Sequence, residues 1–182
     1  MITTTVCNTY IELGVNAYRQ GFRDVGDKML EAAFEEAQRL ITRDAPADSV
    51  FNKLAYLYYQ QKDFDRAENV YCQALELYDK LFNDDNESVA AVMNNLAELY
   101  FSLQKYDLAA PLYERSLGIE ERRLGKEHPT LERRLLKLAW IYCSQERFDD
   151  AHKLYNRVRN IREEKLANLR GSRDLSLNFA VG

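Results

Sequence analysis

Two adjacent asparagines, Asn94 and Asn95, stand in the stretch NNLAELY, which otherwise has the composition of a helix that packs through one apolar side. Asparagine is a mediocre helix former because its amide competes for nearby backbone groups. The same amide carries a donor and an acceptor on one short side chain, so it can bind a peptide backbone of any sequence. The pair therefore indicates polar recognition; the alternative is that the two amides cap or solvate a helix end.

Residues that commonly carry covalent or metal chemistry are few and scattered. Of the two histidines, His128 precedes Pro129 and is expected to shape a turn, whereas His152 is expected on a helix surface. The sequence has no glycine-rich phosphate loop and no HExxH or GxSxG motif. The cysteines are odd in number and far apart, which predicts neither a disulfide framework nor a zinc site: Cys7, Cys72 and Cys143. We predict that the protein is not an enzyme and uses no cofactor.

Charge and hydropathy exclude further classes. Residues 1–119 carry 11 Lys and Arg against 19 Asp and Glu, whereas residues 120–182 carry 14 against 10. The arginines of this basic end are expected to pair with glutamates on solvated helix faces, and the acidic chain lacks a nucleic-acid-binding motif. The carboxylates at 84–85 and 120–121 are expected at solvated ends or faces. No apolar stretch reaches the roughly 18 residues of a membrane span, and no secretory signal is present, so we expect a cytoplasmic protein.

A repeat of 42 residues organises the chain. Leu–Ala pairs recur at 54–55, 96–97 and 138–139, and a more degenerate copy, with Leu13 and Gly14, is displaced by 41 residues. Apolar residues three or four apart mark a helix A, a short polar break follows, and a small residue in a helix B allows the two axes to approach. We predict A helices near 5–20, 48–61, 88–103 and 130–145. The B helices are predicted near 23–42, 64–82, 106–124 and 148–169.

The repeat resembles the tetratricopeptide repeat, over about residues 5–168. The usual period of that family is 34 residues. The longer period here, with NNLAELY and a His-Pro turn, resembles the kinesin-light-chain-type subgroup. The resemblance implies an all-α, right-handed α-solenoid of about four helical hairpins in one domain, residues 1–170. Its repeats are expected at about 7–47, 48–89, 90–131 and 132–169.

Residues 171–182 are expected to form a C-terminal tail. Gly171 and Ser172 are expected to end the last helix. In DLSLNF the apolar residues alternate, which predicts an extended segment with one apolar edge; the alternative is a disordered tail. Our hypothesis is that the tail, or a second chain, covers the flank of helix 148–169.

The resemblance also implies a binding site. In the family's geometry, residues just before each Leu–small pair, and those one turn later, face a concave groove. The asparagines would hold a peptide backbone, the aromatic residues would form pockets, and Lys53, Arg133 and Lys137 would favour acidic ligands. The expected peptide-binding residues are Asn52, Lys53, Tyr56, Tyr59, Asn94, Asn95, Glu98, Phe101, Arg133, Leu136, Lys137 and Trp140.

Two classes of function stay open on the sequence. Asn95, Arg133 and Lys137 match three columns of the carboxylate clamp of some family members, but Asn52 and Tyr56 differ from the other two columns, so no complete clamp is expected. The first class is an interaction module whose groove binds an extended, acid-containing peptide or partner protein. The second is a structural or assembly protein that self-associates, with homo-oligomers formed through the last repeat or the tail.

Overall fold

The computed structural model describes residues 2–41, 48–82 and 86–179, which contain eight α-helices, one short 3₁₀ turn (Pro129–Leu131) and no strand. The helix bounds agree with the predicted ones to within three residues, apart from the end of the last helix. The A helices are α1 (Ile2–Arg19), α3 (Asp48–Gln60), α5 (Glu87–Ser102) and α7 (Glu132–Ser144). The B helices are α2 (Arg23–Leu40), α4 (Phe64–Leu81), α6 (Tyr106–Leu124) and α8 (Phe148–Phe179).

The turn inside each hairpin is the same local structure. Gly21, Lys62, Gln104 and Glu146 all have positive φ, between 59° and 86°. One residue later, the backbone N–H donates to a carbonyl five residues back, as from Lys105 to Tyr100 at 2.9 Å. This pairing is the Schellman motif, which satisfies carbonyls left over at a helix end. Only the first hairpin uses glycine, the residue that adopts this conformation without steric cost.

The hairpins stack into a right-handed α-solenoid, as predicted. α1 contacts α3 and α3 contacts α5, so the A helices form one layer, while α2 contacts α4 in the layer of B helices. The leucines of the Leu–Ala pairs are at most 3% exposed, and the small residues of the B helices are at most 1% exposed. These buried columns are Leu54, Leu96 and Leu138, and Ala67, Ala109 and Ala151.

The two outer helices expose columns that the inner hairpins bury. Leu13 occupies the leucine column, yet it is 49% exposed because it lies on the side of α1 that no described hairpin covers. Tyr155 of α8 is 41% exposed, whereas the equivalent Tyr71 and Tyr113 are 8% and 0% exposed. Each of those two tyrosines is covered by the hairpin that follows it.

The last helix corrects the prediction for the C-terminal region. α8 continues to Phe179, so the expectations that Gly171 and Ser172 end it, and that the following residues are extended, are wrong. A glycine inside a helix costs about 1 kcal/mol relative to alanine, which is no absolute stop, and no proline follows it. The hypothesis that the tail covers the flank of α8 stays a hypothesis, because the side chains beyond residue 168 lie outside the described ones. No described helix combines the length and apolarity needed to span a membrane.

Candidate peptide-binding groove

The expected binding residues lie on three neighbouring A helices, four on each of α3, α5 and α7. We call the surface that they line the A-helix groove. Tyr56, Tyr59 and Trp140 are among its members and are 59%, 38% and 45% exposed. Exposed large aromatic side chains of this kind are common anchors in protein recognition. Their binding roles stay predictions.

A pocket of about 190 Å³ lies between α3 and α5. We call it the tyrosine pocket because Tyr56 and Tyr59 of α3 and Tyr71 of α4 line it. Burial raises the pKa of Tyr71 to about 12, so its hydroxyl stays protonated even well above neutral pH. The sequence had indicated Tyr71 only as a packing residue of the repeat. The polar part of the lining comes from Asn95, Glu98 and Ser102.

A second pocket, of about 310 Å³, lies between α5 and α7. We call it the arginine pocket, because both Arg133 and Arg134 line it. The Arg133 side chain is 77% exposed and lies 3.6 Å from the carboxylate of Glu98, so its guanidinium is accessible to a ligand. Sequence reasoning missed Arg134 and Thr130 as lining residues, although the pair of arginines at 133–134 had marked the place. The pocket shares two lining residues with the tyrosine pocket, Asn95 and Glu98.

The asparagines connect neighbouring repeats. The amide of Asn95 donates to Asn52 Oδ1 at 2.6 Å, which joins α5 to α3. Arg134 Nε donates to Asn94 Oδ1 at 2.7 Å, which joins α7 to α5. Both asparagines lie in the middle of α5, whose N-cap is Asn86, so the alternative that they cap a helix end is wrong. The two amides therefore already contribute to stacking.

The lysines of the groove are engaged in the same way. Lys53 Nζ donates to Asn8 Oδ1 at 2.8 Å and so joins α3 to α1. Lys137 forms an ion pair with Glu98 and lies 4.9 Å from the centre of the Phe101 ring. Cations over aromatic faces are attracted by the ring quadrupole. Both lysines thus have partners in the absence of a ligand.

Three aromatic rings form a cluster where α5, α6 and α7 meet. Trp140 packs edge-on against Phe101 and Tyr106, with ring centroids 5.3 Å and 4.9 Å away. Leu136 is partly buried and packs against the core. Trp140 is the only tryptophan of the chain, so tryptophan fluorescence reports on this part of the groove alone.

Most of the described basic side chains of residues 120–182 form ion pairs with carboxylates. Arg134 pairs with Glu120, and Arg157 pairs with Glu121 at 2.7 Å. These pairs confirm the expectation that arginines meet glutamates, but Glu120 is only 7% exposed, so its prediction as a solvated residue is wrong. Burial raises the pKa of Glu120, and the charge of Arg134 opposes that effect. The carboxylate is buried because α7 stacks on α6 over it. The carboxylates at 84–85 lie outside the described residues.

Comparisons with known proteins agree with this geometry. A tetratricopeptide repeat family model matches residues 5–80 and 88–164, and a second one matches residues 52–123. BtubC (BKLC) from P. vanneervenii is 27% identical with a TM-score of 0.66, over 87% of this chain and 64% of that one. The chain therefore spans less than two thirds of the length of BtubC. No curated protein sequence shows significant similarity to the chain.

Two further solved structures share the fold. A putative kinesin light chain with nearly identical TPR-like repeats, from Podosopora anserina, is 20% identical, with a TM-score of 0.64 over 86% of this chain and 75% of that one. MamA is 17% identical, with a TM-score of 0.60 over 88% of this chain and 81% of that one.

Stacked helical hairpins that present a groove of asparagine, aromatic and charged side chains define a protein-interaction or scaffold module. The family models match well over half of the residues, so the assignment is direct. The chain belongs to the tetratricopeptide repeat family. The predicted resemblance to this family is thereby confirmed. The structural neighbours of the chain include kinesin-light-chain-like proteins.

Proposed function

We propose that this chain is a non-enzymatic interaction module that binds an extended, acid-containing peptide segment of a partner protein in the A-helix groove. The observation that carries the proposal is the contiguity of the tyrosine and arginine pockets, which share Asn95 and Glu98. An extended peptide places alternate side chains about 7 Å apart on one side, a spacing that suits two adjoining pockets. One pocket would take an apolar side chain and the other an acidic one.

The polar groups of the groove keep capacity for a ligand. An asparagine amide has two hydrogens and two acceptor lone pairs, and Asn95 uses one hydrogen towards Asn52 and accepts only a 3.4 Å contact from Asn94. The remaining hydrogen and lone pair suit a peptide unit, which offers one acceptor and one donor. The exposed guanidinium of Arg133 suits a carboxylate, which it can bind with two parallel hydrogen bonds.

The proposal is tested with two exposed groove residues, because substituting them leaves the hydrogen bonds of Asn94 and Asn95 between repeats intact. We expect Tyr56→Ala and Arg133→Ala each to weaken capture of a glutamate-containing partner peptide by about tenfold or more, a typical loss for an interface anchor. Binding is measured by titration of Trp140 fluorescence with peptides that lack tryptophan. Circular dichroism and the melting temperature should stay close to those of the wild type.

The matched control for Arg133 is Arg39→Ala. Arg39 is equally exposed, at 75% against 77%, and also lies near a glutamate, Glu36, at 3.3 Å. It stands on α2, away from the groove, so its loss changes the net charge equally without removing a ligand contact. Undiminished binding by folded Arg133→Ala and Tyr56→Ala proteins would refute the groove assignment.

Self-association is the second candidate function, and the exposed columns of the outer helices favour it. Leu13 and Tyr155 occupy positions that are buried wherever another hairpin stacks on them. A second copy could cover them by stacking end to end. Sedimentation velocity over a wide concentration range tests this candidate, since a sedimentation coefficient independent of concentration would exclude it. Tyr155→Glu should abolish any oligomer that forms through α8.

A further inference from the structure

A second groove lies in the layer of B helices, between α2 and α4. Two bridges join these helices: Arg66 forms an ion pair with Asp27 at 2.5 Å, and the Gln38 amide donates to Gln73 Oε1 at 2.9 Å. Asp27 and Gln38 are eleven residues apart, which corresponds to about 16 Å along α2. Between the bridges lies a pocket of about 390 Å³, which we call the B-helix groove.

The B-helix groove has an apolar interior and a polar rim. Tyr58 and Val70 of its lining are 4% and 5% exposed, and Phe34 packs against the core. Glu31 and Glu35 of α2 line it from one side and are exposed. An apolar interior below carboxylates suits a side chain with an apolar stem and a cationic tip, as lysine and arginine have.

The charges of Glu31 and Glu35 are not compensated within the part of the chain that the structure describes. Neither carboxylate forms an ion pair or a hydrogen bond there. Arg66 also lines the groove, but Asp27 and Asp63 already pair with it. Like charges four residues apart destabilise a helix. A bound cation would therefore relieve a repulsion that the free protein retains.

The next junction between B helices shows that these residues are not a packing requirement of the repeat. One repeat later, Glu31 corresponds to Cys72. Gln73 corresponds to Arg115, which lies 3.8 Å from the carboxylate of Asp79. The second junction thus has an internal cation where the first has a neutral amide. The first junction alone combines a pair of unpaired carboxylates with this amide.

We propose that the B-helix groove binds an arginine side chain from a basic segment of a partner protein. Its guanidinium bridges Glu31 and Glu35, whose Cβ atoms are about 5–6 Å apart at this helical spacing. Guanidinium groups form two parallel hydrogen bonds with a carboxylate, which an ammonium group cannot do. The side-chain oxygen of Gln38 accepts no bond from any described residue and offers a further acceptor.

The surrounding charge favours the same kind of partner. α2 carries five Asp and Glu against three Lys and Arg, and α4 carries four against two. Such an excess of negative charge attracts basic segments at long range. The inference goes beyond the proposed function, because the two grooves lie on different layers of helices and bind ligands of opposite charge.

Binding of a fluorescein-labelled decapeptide of arginine, glycine and serine, followed by fluorescence anisotropy, tests the inference. We expect Glu35→Gln to weaken binding about tenfold, because a hydrogen bond to a charged group loses its ionic partner. The matched control is Glu76→Gln, since Glu76 is exposed at the equivalent place on α4 and outside the groove. Equal binding by the two variants, or no saturable binding to the wild type, would overturn the inference.

Thermal unfolding distinguishes a binding role from a structural one. Glu35→Gln removes the repulsion with Glu31, so the melting temperature of the free protein should be unchanged or slightly higher. A contribution of Glu35 to packing would lower it instead and would contradict the inference. The arginine peptide should raise the melting temperature of the wild type but not that of the Glu31→Gln, Glu35→Gln double variant. Equal stabilisation of both proteins would also count against the groove.

Three further measurements identify the occupant. Asn69→Arg places an internal cation at the exposed rim of the groove and should abolish binding of the arginine peptide, whereas the lysine counterpart should bind the wild type more weakly. Equal binding of the two peptides would contradict arginine recognition. If Glu35→Gln dissociates an oligomer in sedimentation velocity, the occupant is a second copy and the assignment to a partner protein is wrong.

The two grooves can fail independently. Tyr56→Ala should leave binding of the arginine peptide unchanged, and Glu35→Gln should leave binding of the glutamate-containing peptide unchanged. Loss of arginine-peptide binding by folded Tyr56→Ala would place that peptide in the A-helix groove and overturn the inference. Loss of glutamate-peptide binding alone would leave the B-helix groove intact and refute only the proposed function.

Discussion

Asn95 lies in the middle of α5 because its amide reaches the neighbouring repeat. A leucine at this position would favour the helix more strongly but could not donate to Asn52, whose Oδ1 is 2.6 Å away. Together with the bond from Arg134 to Asn94, this contact ties three successive A helices through groove side chains. The residues proposed to bind the ligand therefore also hold the repeats in register.

Removal of the Asn95 amide should thus affect stability as well as binding. Asn95→Ala leaves the Asn52 amide partly buried with one hydrogen bond fewer, and we expect a loss of about 1 kcal/mol. In a domain of this length, that corresponds to a melting temperature lower by about 2–4 °C. Thermal unfolding followed by far-UV circular dichroism measures it. In the Asn52→Ala background the same substitution should cost much less, and equal costs in the two backgrounds would contradict the coupling.

Three of the hairpin turns contain a non-glycine residue with positive φ, a backbone conformation that is sterically unfavourable for such residues. Lys62, Gln104 and Glu146 adopt the left-handed conformation in which glycine is normally found. The geometry persists because the Schellman bonds that follow it satisfy the last carbonyls of α3, α5 and α7. Three side chains are held in an unfavourable backbone region so that the A and B helices can pack antiparallel.

Gln104→Gly should therefore stabilise the protein. Glycine removes the steric cost of positive φ, and the net gain should be about 0.5–1 kcal/mol after its greater chain entropy is counted. Urea unfolding followed by circular dichroism measures this change. Asn160→Gly is the control, because Asn160 is exposed inside α8 and glycine there should only destabilise. A destabilised Gln104→Gly protein would contradict the interpretation of the turn.

The helices could be predicted from the sequence because the repeat reports the same local pattern several times. Three copies of the Leu–Ala pair and its tyrosine average out local ambiguity, and the predicted bounds of α3 to α7 agree closely with the structure. The predicted end of the last helix was less reliable, because it depended on Gly171 and Ser172, which occur only once in the chain. The helix continues past both residues.

The contacts of the groove could not be predicted in the same way. The bonds of Asn95 to Asn52 and of Arg134 to Asn94 join residues about one period apart, and their formation depends on how far each hairpin rotates against the next. No local pattern records that rotation. Sequence reasoning therefore placed the residues on the correct helices but treated Asn95 and Lys137 as free for a ligand, whereas both have internal partners.

At the scale of the whole molecule, the repeated tyrosines couple stability to alkaline pH. Burial raises the pKa of Tyr71 to about 12, and burial together with Glu114 raises that of Tyr142 to about 12. The ordinary value is about 10, so the folded state retains protons that the unfolded chain releases. The resulting stabilisation is fully present below about pH 10 and is lost as the pH rises from about 10 to about 12.

We expect the free energy of unfolding to fall steeply in that range. For Tyr71 alone, a pKa higher by about two corresponds to about 2–3 kcal/mol. Urea unfolding at intervals between about pH 9 and about pH 12 measures the slope, and tyrosinate absorbance identifies the titrating groups. Tyr71→Phe should make the slope shallower. The same slope for wild type and variant would show that Tyr71 titrates normally.

The same tyrosine and leucine positions are buried wherever two hairpins of this chain stack. This equivalence determines how such a chain can become longer. Tyr71 and Leu96 at one junction correspond to Tyr113 and Leu138 at the next, and all four are buried. A tandem duplication of 42 codons would bring together two surfaces that already fit, so the new junction would need no compensating mutation. The inherited unit is then the hairpin, and a longer array is reached by one genetic event instead of many substitutions.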